Sequence, residues 1–127
     1  MVNYEELMEK AKDASKMAYA PYSKFKVGAC VLAESGNTYQ GCNFENASYG
    51  LSICAERNAI GTAVLNGDTK IKAIAIYSPN MQNCTPCGAC RQVIDEFKTD
   101  DTVVITSYND QLIVKTIEEL LPGSFVL

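Results

Sequence analysis

Ile71-Lys72-Ala73-Ile74-Ala75-Ile76-Tyr77-Ser78 decides the fold of this chain. The run is short, almost wholly apolar and rich in β-branched side chains, the pattern of a central strand buried on both faces. Working outward, helical segments bracket it. Ile53–Asn66 reads as a helix stopped by Gly67, and Cys87–Lys98 as a helix turning Val93, Ile94 and Phe97 inward. Strand pairs lie beyond them. Phe25–Glu34 and Thr38–Phe44 make a hairpin across Ser35-Gly36-Asn37, while Thr102–Ser107 and Leu112–Lys115 flank a turn at Asn109-Asp110. Asn3 and Glu6 resemble an N-terminal capping box for a first helix, Tyr4–Ala20, which Pro21 ends. Glu45–Ser52 and Pro79–Pro86 read as loops, and Thr116–Leu121 as a last helical turn. The order α-β-β-α-β-α-β-β-α predicts an α/β fold, a mixed sheet flanked by helices. Residues 1–127 are expected to form a single domain.

Composition bounds the function. An apolar share of 47% excludes a disordered chain. The net charge of −4 disfavours a nucleic acid polymer or an anionic membrane as partner and suits a small neutral substrate. Lys24 and Lys26 form a small basic spot that reads as a solvated face. No apolar run reaches the ~18 residues of a membrane-spanning helix, and Met1–Lys12 is too polar for a secretory signal. The 6 cysteines therefore read as reduced thiols of a cytoplasmic protein rather than a disulfide framework.

Four of those cysteines, at 54, 84, 87 and 90, fall in metal-like spacing, and the chain has no histidine. A zinc site must then use thiolates, and any proton carrier near neutral pH must be a retuned group. Cys54-Ala55-Glu56-Arg57 and Pro86-Cys87-Gly88-Ala89-Cys90 both open predicted helices, where free N–H groups and the dipole favour thiolates. Cys54, Cys87 and Cys90 leave a fourth tetrahedral position open, the mark of catalytic zinc. Glu56 would then move protons; alone, it would read as an ordinary first-turn glutamate. Arg57 is favoured over Arg91 as the guanidinium that donates to the sulfurs. Cys84 keeps a rival alive, a closed four-cysteine structural zinc module without catalysis. Because Cys54 lacks a nearby partner, Cys84 reads instead as a loop thiol, and Cys30 and Cys42 as inert core cysteines.

These residues resemble the zinc-dependent deaminases, whose signature is [HC]-x-E followed by P-C-x-x-C. Phe25-Lys26-Val27-Gly28-Ala29, Gly41 to Tyr49, Cys54 to Arg57, Pro86 to Gln92 and Leu120 to Phe125 are all similar to the small homotetrameric cytidine deaminases. The resemblance implies a three-layer α-β-α sandwich around a five-stranded mixed sheet. It implies one Zn²⁺ per chain on Cys54, Cys87 and Cys90, with hydroxide on the zinc attacking C4 of the base and Glu56 shuttling protons. It implies that Asn43 and Glu45 hold the ribose hydroxyl, that Phe25 packs on the pyrimidine, and that Ala55 offers its N–H to the base carbonyl. Ala47 and Tyr49 would approach the sugar of an adjacent subunit's site, and Phe125 would reach over a neighbour's base, so that pockets are shared in a homotetramer. Phe44, where an aliphatic residue is common, is expected to point into the sheet. The implied reaction is hydrolytic deamination of cytidine and deoxycytidine in pyrimidine salvage. A deaminase of a modified cytosine nucleoside such as blasticidin S would share the zinc motif.

Overall fold

The computed structural model describes residues 3–127. Five strands form one sheet: β1 (Gly28–Ala33), β2 (Thr38–Cys42), β3 (Ile71–Tyr77), β4 (Lys98–Tyr108) and β5 (Gln111–Thr116). Their spatial order is β2-β1-β3-β4-β5, with only β3 and β4 parallel, so the sheet is mixed as expected. Around it lie α1 (Tyr4–Ser15), α2 (Ala55–Leu65), α3 (Gly88–Glu96) and the single turn α4 (Ile117–Leu120).

The layers follow from side-chain alternation. β1 is buried along its whole length and feeds both faces. Cys30 and Leu32 join Ala73, Ala75 and Ile105 under Leu7, Met8 and Ala11 of α1. Ala29 and Val31 join Ile74, Ile76 and Val104 under Ala55, Ala59 and Ile60 of α2, with Ile94 of α3 and Ile117 of α4. Alternate residues of one strand thus bind helices to opposite faces. This is the three-layer sandwich.

Two glycines set how closely the helices approach. A Cβ on Gly28 would lie 2.0 Å from the Ala11 carbonyl oxygen of α1. A Cβ on Gly41 would lie 2.4 Å from the Ala59 nitrogen and 2.6 Å from the Ala55 oxygen of α2. Both obstacles are backbone and cannot swing away. Gly41 therefore lets α2, whose first residues carry the candidate chemistry, rest directly on β2.

Several boundaries differ from those expected. The first helix stops at Ser15 rather than Ala20, because the backbone of Tyr19 turns to the neighbouring chain: its N–H donates to Asn43 O at 3.0 Å and its carbonyl accepts from Glu45 N at 2.9 Å. β1 begins at Gly28 rather than Phe25, since side chains take the preceding amides. Phe25 N donates to Ser23 Oγ, Lys26 N to Asn80 Oδ1 and Val27 N to Asn43 Oδ1. Phe44 lies beyond the end of β2, pairing only with Tyr19 and Ile53. Its side chain is 45% exposed rather than turned into the sheet. β4 starts at Lys98, earlier than Thr102, with a register shift after its pairing to Ile71.

Candidate metal and substrate site

Cys54 and Cys87 each occupy the residue before a helix, α2 and α3, with extended backbone and no side-chain capping bond. Their thiols are thereby free to face the helix ends, where first-turn N–H groups lack intrahelical acceptors. Cys90 sits one turn into α3 and is fully buried. The three sulfurs lie within 4.8 Å of one another, and among the described residues this is the group of at least three Cys, Asp or Glu side chains with ligand geometry. The donor set fits zinc: three soft ligands with spacing suited to one ion.

Cys84 is not part of that cluster. It is buried in the loop before α3, and burial, with Glu56 nearby, pushes its thiol up to about 11. Cys30 is likewise a protonated core thiol, raised to about 11 by burial. Cys42 is only half-buried, so it belongs less to the core than expected, though burial raises its pKa as well.

Charge around the sulfurs is balanced locally. The Cys90 thiol beside Cys54, together with the Arg57 guanidinium, holds the Cys54 sulfur well below the ordinary thiol range. Arg57 Nη2 donates to Cys54 Sγ at 3.6 Å, and its Nε is buried without a partner among the described residues. Arg91 is engaged elsewhere. Its Nε donates to Pro86 O and its Nη1 to Leu120 O, both at 2.7 Å, tying the loop before α3 to α4.

Glu56, in the first turn of α2, is only 5% exposed. Burial, which penalises its charged form, pushes its pKa up to about 7, with the negative charge at Cys54 adding to the rise. A carboxyl tuned this way can take and return a proton near neutral pH. Ala55 is fully buried, and as the first residue of α2 its N–H points out of the helix end.

These groups floor a cavity of about 490 Å³, within the range of small-molecule sites. Cys54, Ala55, Glu56, Arg57 and Cys87 line it, as do Phe25, Asn43, Glu45 and Tyr49. Asn43 bridges backbone: its Oδ1 accepts from Val27 N at 2.8 Å and its Nδ2 donates to Phe25 O at 2.9 Å. One amide hydrogen remains for a ligand. Glu45 is buried, and hydrogen bonds from Ser23, then from the Tyr22 amide, hold its carboxyl below the usual range.

Ala47, Tyr49 and Phe125, expected at an adjacent subunit's site, all lie exposed on this chain. Tyr49 lines the cavity of its own chain, within a short 3₁₀ turn inside the segment read as loop. Ala47 and Phe125 are exposed and do not line it. Phe125 is 72% exposed, and its carbonyl accepts from Gln92 Nε2 at 3.0 Å. Sequence reading missed Ser23, Phe44, Ser52 and Thr85, all of which line the cavity. Ser52 and Thr85 fall in segments read as loops and Ser23 between Pro21 and the expected strand, but nothing in those segments names a partner.

The chain matches the family model described as "Cytidine and deoxycytidylate deaminase zinc-binding region" over residues 1–106. It is 44% identical over 125 residues to the cytidine deaminase of Sporosarcina psychrophila, covering 98% of this chain and 92% of that protein. The Halalkalibacterium halodurans cytidine deaminase is 43% identical over 120 residues, at 94% and 91% coverage. Among solved structures, the cytidine deaminase of Burkholderia pseudomallei superposes with a TM-score of 0.91 at 41% identity, covering 98% of this chain and 100% of that one. The Mycobacterium tuberculosis cytidine deaminase gives 0.88 at 34% identity, with both chains covered completely.

Proposed function

The chain belongs to the cytidine and deoxycytidylate deaminase family and is a zinc-dependent hydrolytic deaminase, and we propose that it converts cytidine and deoxycytidine to uridine and deoxyuridine with release of ammonia. The observation that carries this reading is a buried glutamate, Glu56, beside a cluster of three sulfurs at the floor of a nucleoside-sized cavity.

Cys54, Cys87 and Cys90 are the proposed ligands of one zinc ion per chain. Bound there, zinc supplies Lewis-acid activation of the attacking water. Glu56 would accept a proton from that water and deliver it to N3 of the base. It would then take a second proton from the hydroxyl newly bonded to C4 and pass it to the amine, which leaves as ammonia as the C4 carbonyl forms. The Ala55 N–H steadies the base carbonyl, and Phe25 packs against the pyrimidine. Asn43 and Glu45 hold the ribose hydroxyl. Arg57 offsets the charge of three thiolates, a role supported by its contact with Cys54. That Cys84 stands apart from the sulfur cluster supports a site of three ligands over a closed structural one.

The whole chain is proposed to act as one domain in a homotetramer whose pockets are shared, with Ala47, Tyr49 and Phe125 serving neighbouring sites. Tyr49 and Phe125 stand exposed on the single chain, which supports this, since a side chain that completes a neighbour's pocket is bare until the neighbour is present. No helix among the described residues is long and apolar enough to cross a membrane. The free cysteines fit a reducing cytoplasm.

The test is direct. Zinc-replete protein is mixed with cytidine at neutral pH, and the cytosine absorbance and released ammonia are followed. Loss of the band with equimolar ammonia is expected. No change with cytidine or deoxycytidine would overturn the substrate assignment and turn attention to modified cytosine nucleosides. A size measurement giving a fully active monomer would remove the shared pockets.

A further inference from the structure

The segment Ala20–Phe25 closes around one side chain. Glu45 N donates to Tyr19 O at 2.9 Å, which lays the two segments side by side. The Glu45 carboxylate then receives the turn: Oε1 accepts from Tyr22 N at 3.0 Å and from Ser23 N at 3.1 Å, and Oε2 accepts from the Ser23 hydroxyl. Lys24 takes a left-handed conformation, φ 64°, which non-glycine residues rarely adopt. That turn lets Phe25 N donate back to Ser23 Oγ at 3.0 Å. Ser23 Oγ is thus held on both sides, donating to Glu45 and accepting from Phe25, the cavity residue two positions on.

A carboxylate offers about four lone-pair sites. Three on Glu45 are filled by this turn, leaving one, on Oε2, for a donor in the cavity. Its direction is set by the Ser23 hydroxyl that shares the same oxygen. We propose that Ser23 is a positioning residue for substrate recognition: through Glu45 it fixes the single acceptor that meets a sugar hydroxyl, and through Phe25 it couples that acceptor to the wall packed on the base. This rests on the deaminase reading and assigns to Ser23 a part in sugar recognition.

Ser23→Ala removes the clamp from an exposed turn without touching the core. Steady-state kinetics on the zinc-replete enzyme is expected to show KM for cytidine raised about tenfold, the scale of one charged hydrogen bond, with kcat within about twofold. Ser23→Thr keeps the hydroxyl and is expected to restore KM. The inhibition constant of 2′,3′-dideoxycytidine, which lacks the sugar hydroxyls at issue, is expected to be the same for Ser23→Ala and wild type. An unchanged KM in Ser23→Ala overturns the proposal. So does an equal loss on cytidine and on the dideoxy analogue, since that marks a general disturbance of the turn. Wild-type protein that does not turn over cytidine sinks the deaminase reading and this proposal with it, whereas an active wild type with a neutral Ser23→Ala sinks this proposal alone.

Discussion

At Glu56, burial does what a histidine would otherwise do. Burial, with the Cys54 sulfur nearby, pushes the carboxyl up to about 7, so a chain without histidine still has a group able to carry protons near neutral pH. Glu56→Gln preserves shape and is expected to keep zinc in full, measured by metal analysis, while kcat falls at least about a hundredfold. An active variant would move the proton to another group. Glu45 makes the opposite case. Its folded pKa lies below the ordinary 4.5, so its contribution to stability is present above that value and fades as pH falls through the folded pKa. The melting temperature of wild type is therefore expected to exceed that of Glu45→Gln at neutral pH, with the gap closing as pH falls below the ordinary 4.5. A gap that widens in acid would contradict the network around Ser23.

Each helix reaches the site by a local device that the sequence states with uneven clarity. Asn3 accepts from Glu6 N at 2.8 Å, and Gly67, at φ 85°, ends α2, both as their residue types announce. The grouping of three sulfurs was equally legible, because Cys54, Cys87 and Cys90 precede or open helices in the pattern itself. Tyr19, Phe44 and Ile53 were not legible. Their backbone bonds run between loops far apart in sequence, and periodicity reports only contacts that repeat along one element. Ser23 escaped for a related reason: it spends its side chain on another segment's carboxylate, as Asn43, named from the resemblance, spends its own on another segment's backbone. Gly41 is the sharpest element-level test. Gly41→Ala places a Cβ against the backbone of α2 and is expected to destabilise by about 1–3 kcal/mol in denaturant melts, with zinc content falling too. Gly50→Ala, where a Cβ meets nothing within 4 Å, is the neutral control.

Across the molecule, one helix secures the far face of the sheet, while the proposed metal joins two others on the near face. Zinc binding only the folded arrangement stabilises it by mass action, so a chelator is expected to lower the melting temperature and readdition to restore it. An unchanged melting curve would deny the sulfurs a structural load. The order of the parts along the chain also has a meaning in time. Cys54, Glu56, Cys87 and Cys90 all precede β4, whose parallel pairing with β3 and antiparallel pairing with β5 finish the sheet at Thr116. At a synthesis rate of about 5–20 residues per second, the last sulfur is made roughly one to five seconds before the last strand. Until β4 is in place, β3 can pair with β1 but keeps an open edge on its other side. A nascent chain can meet its metal before it has completed its sheet, and the ion would then be an early organiser of the two helices rather than a late passenger.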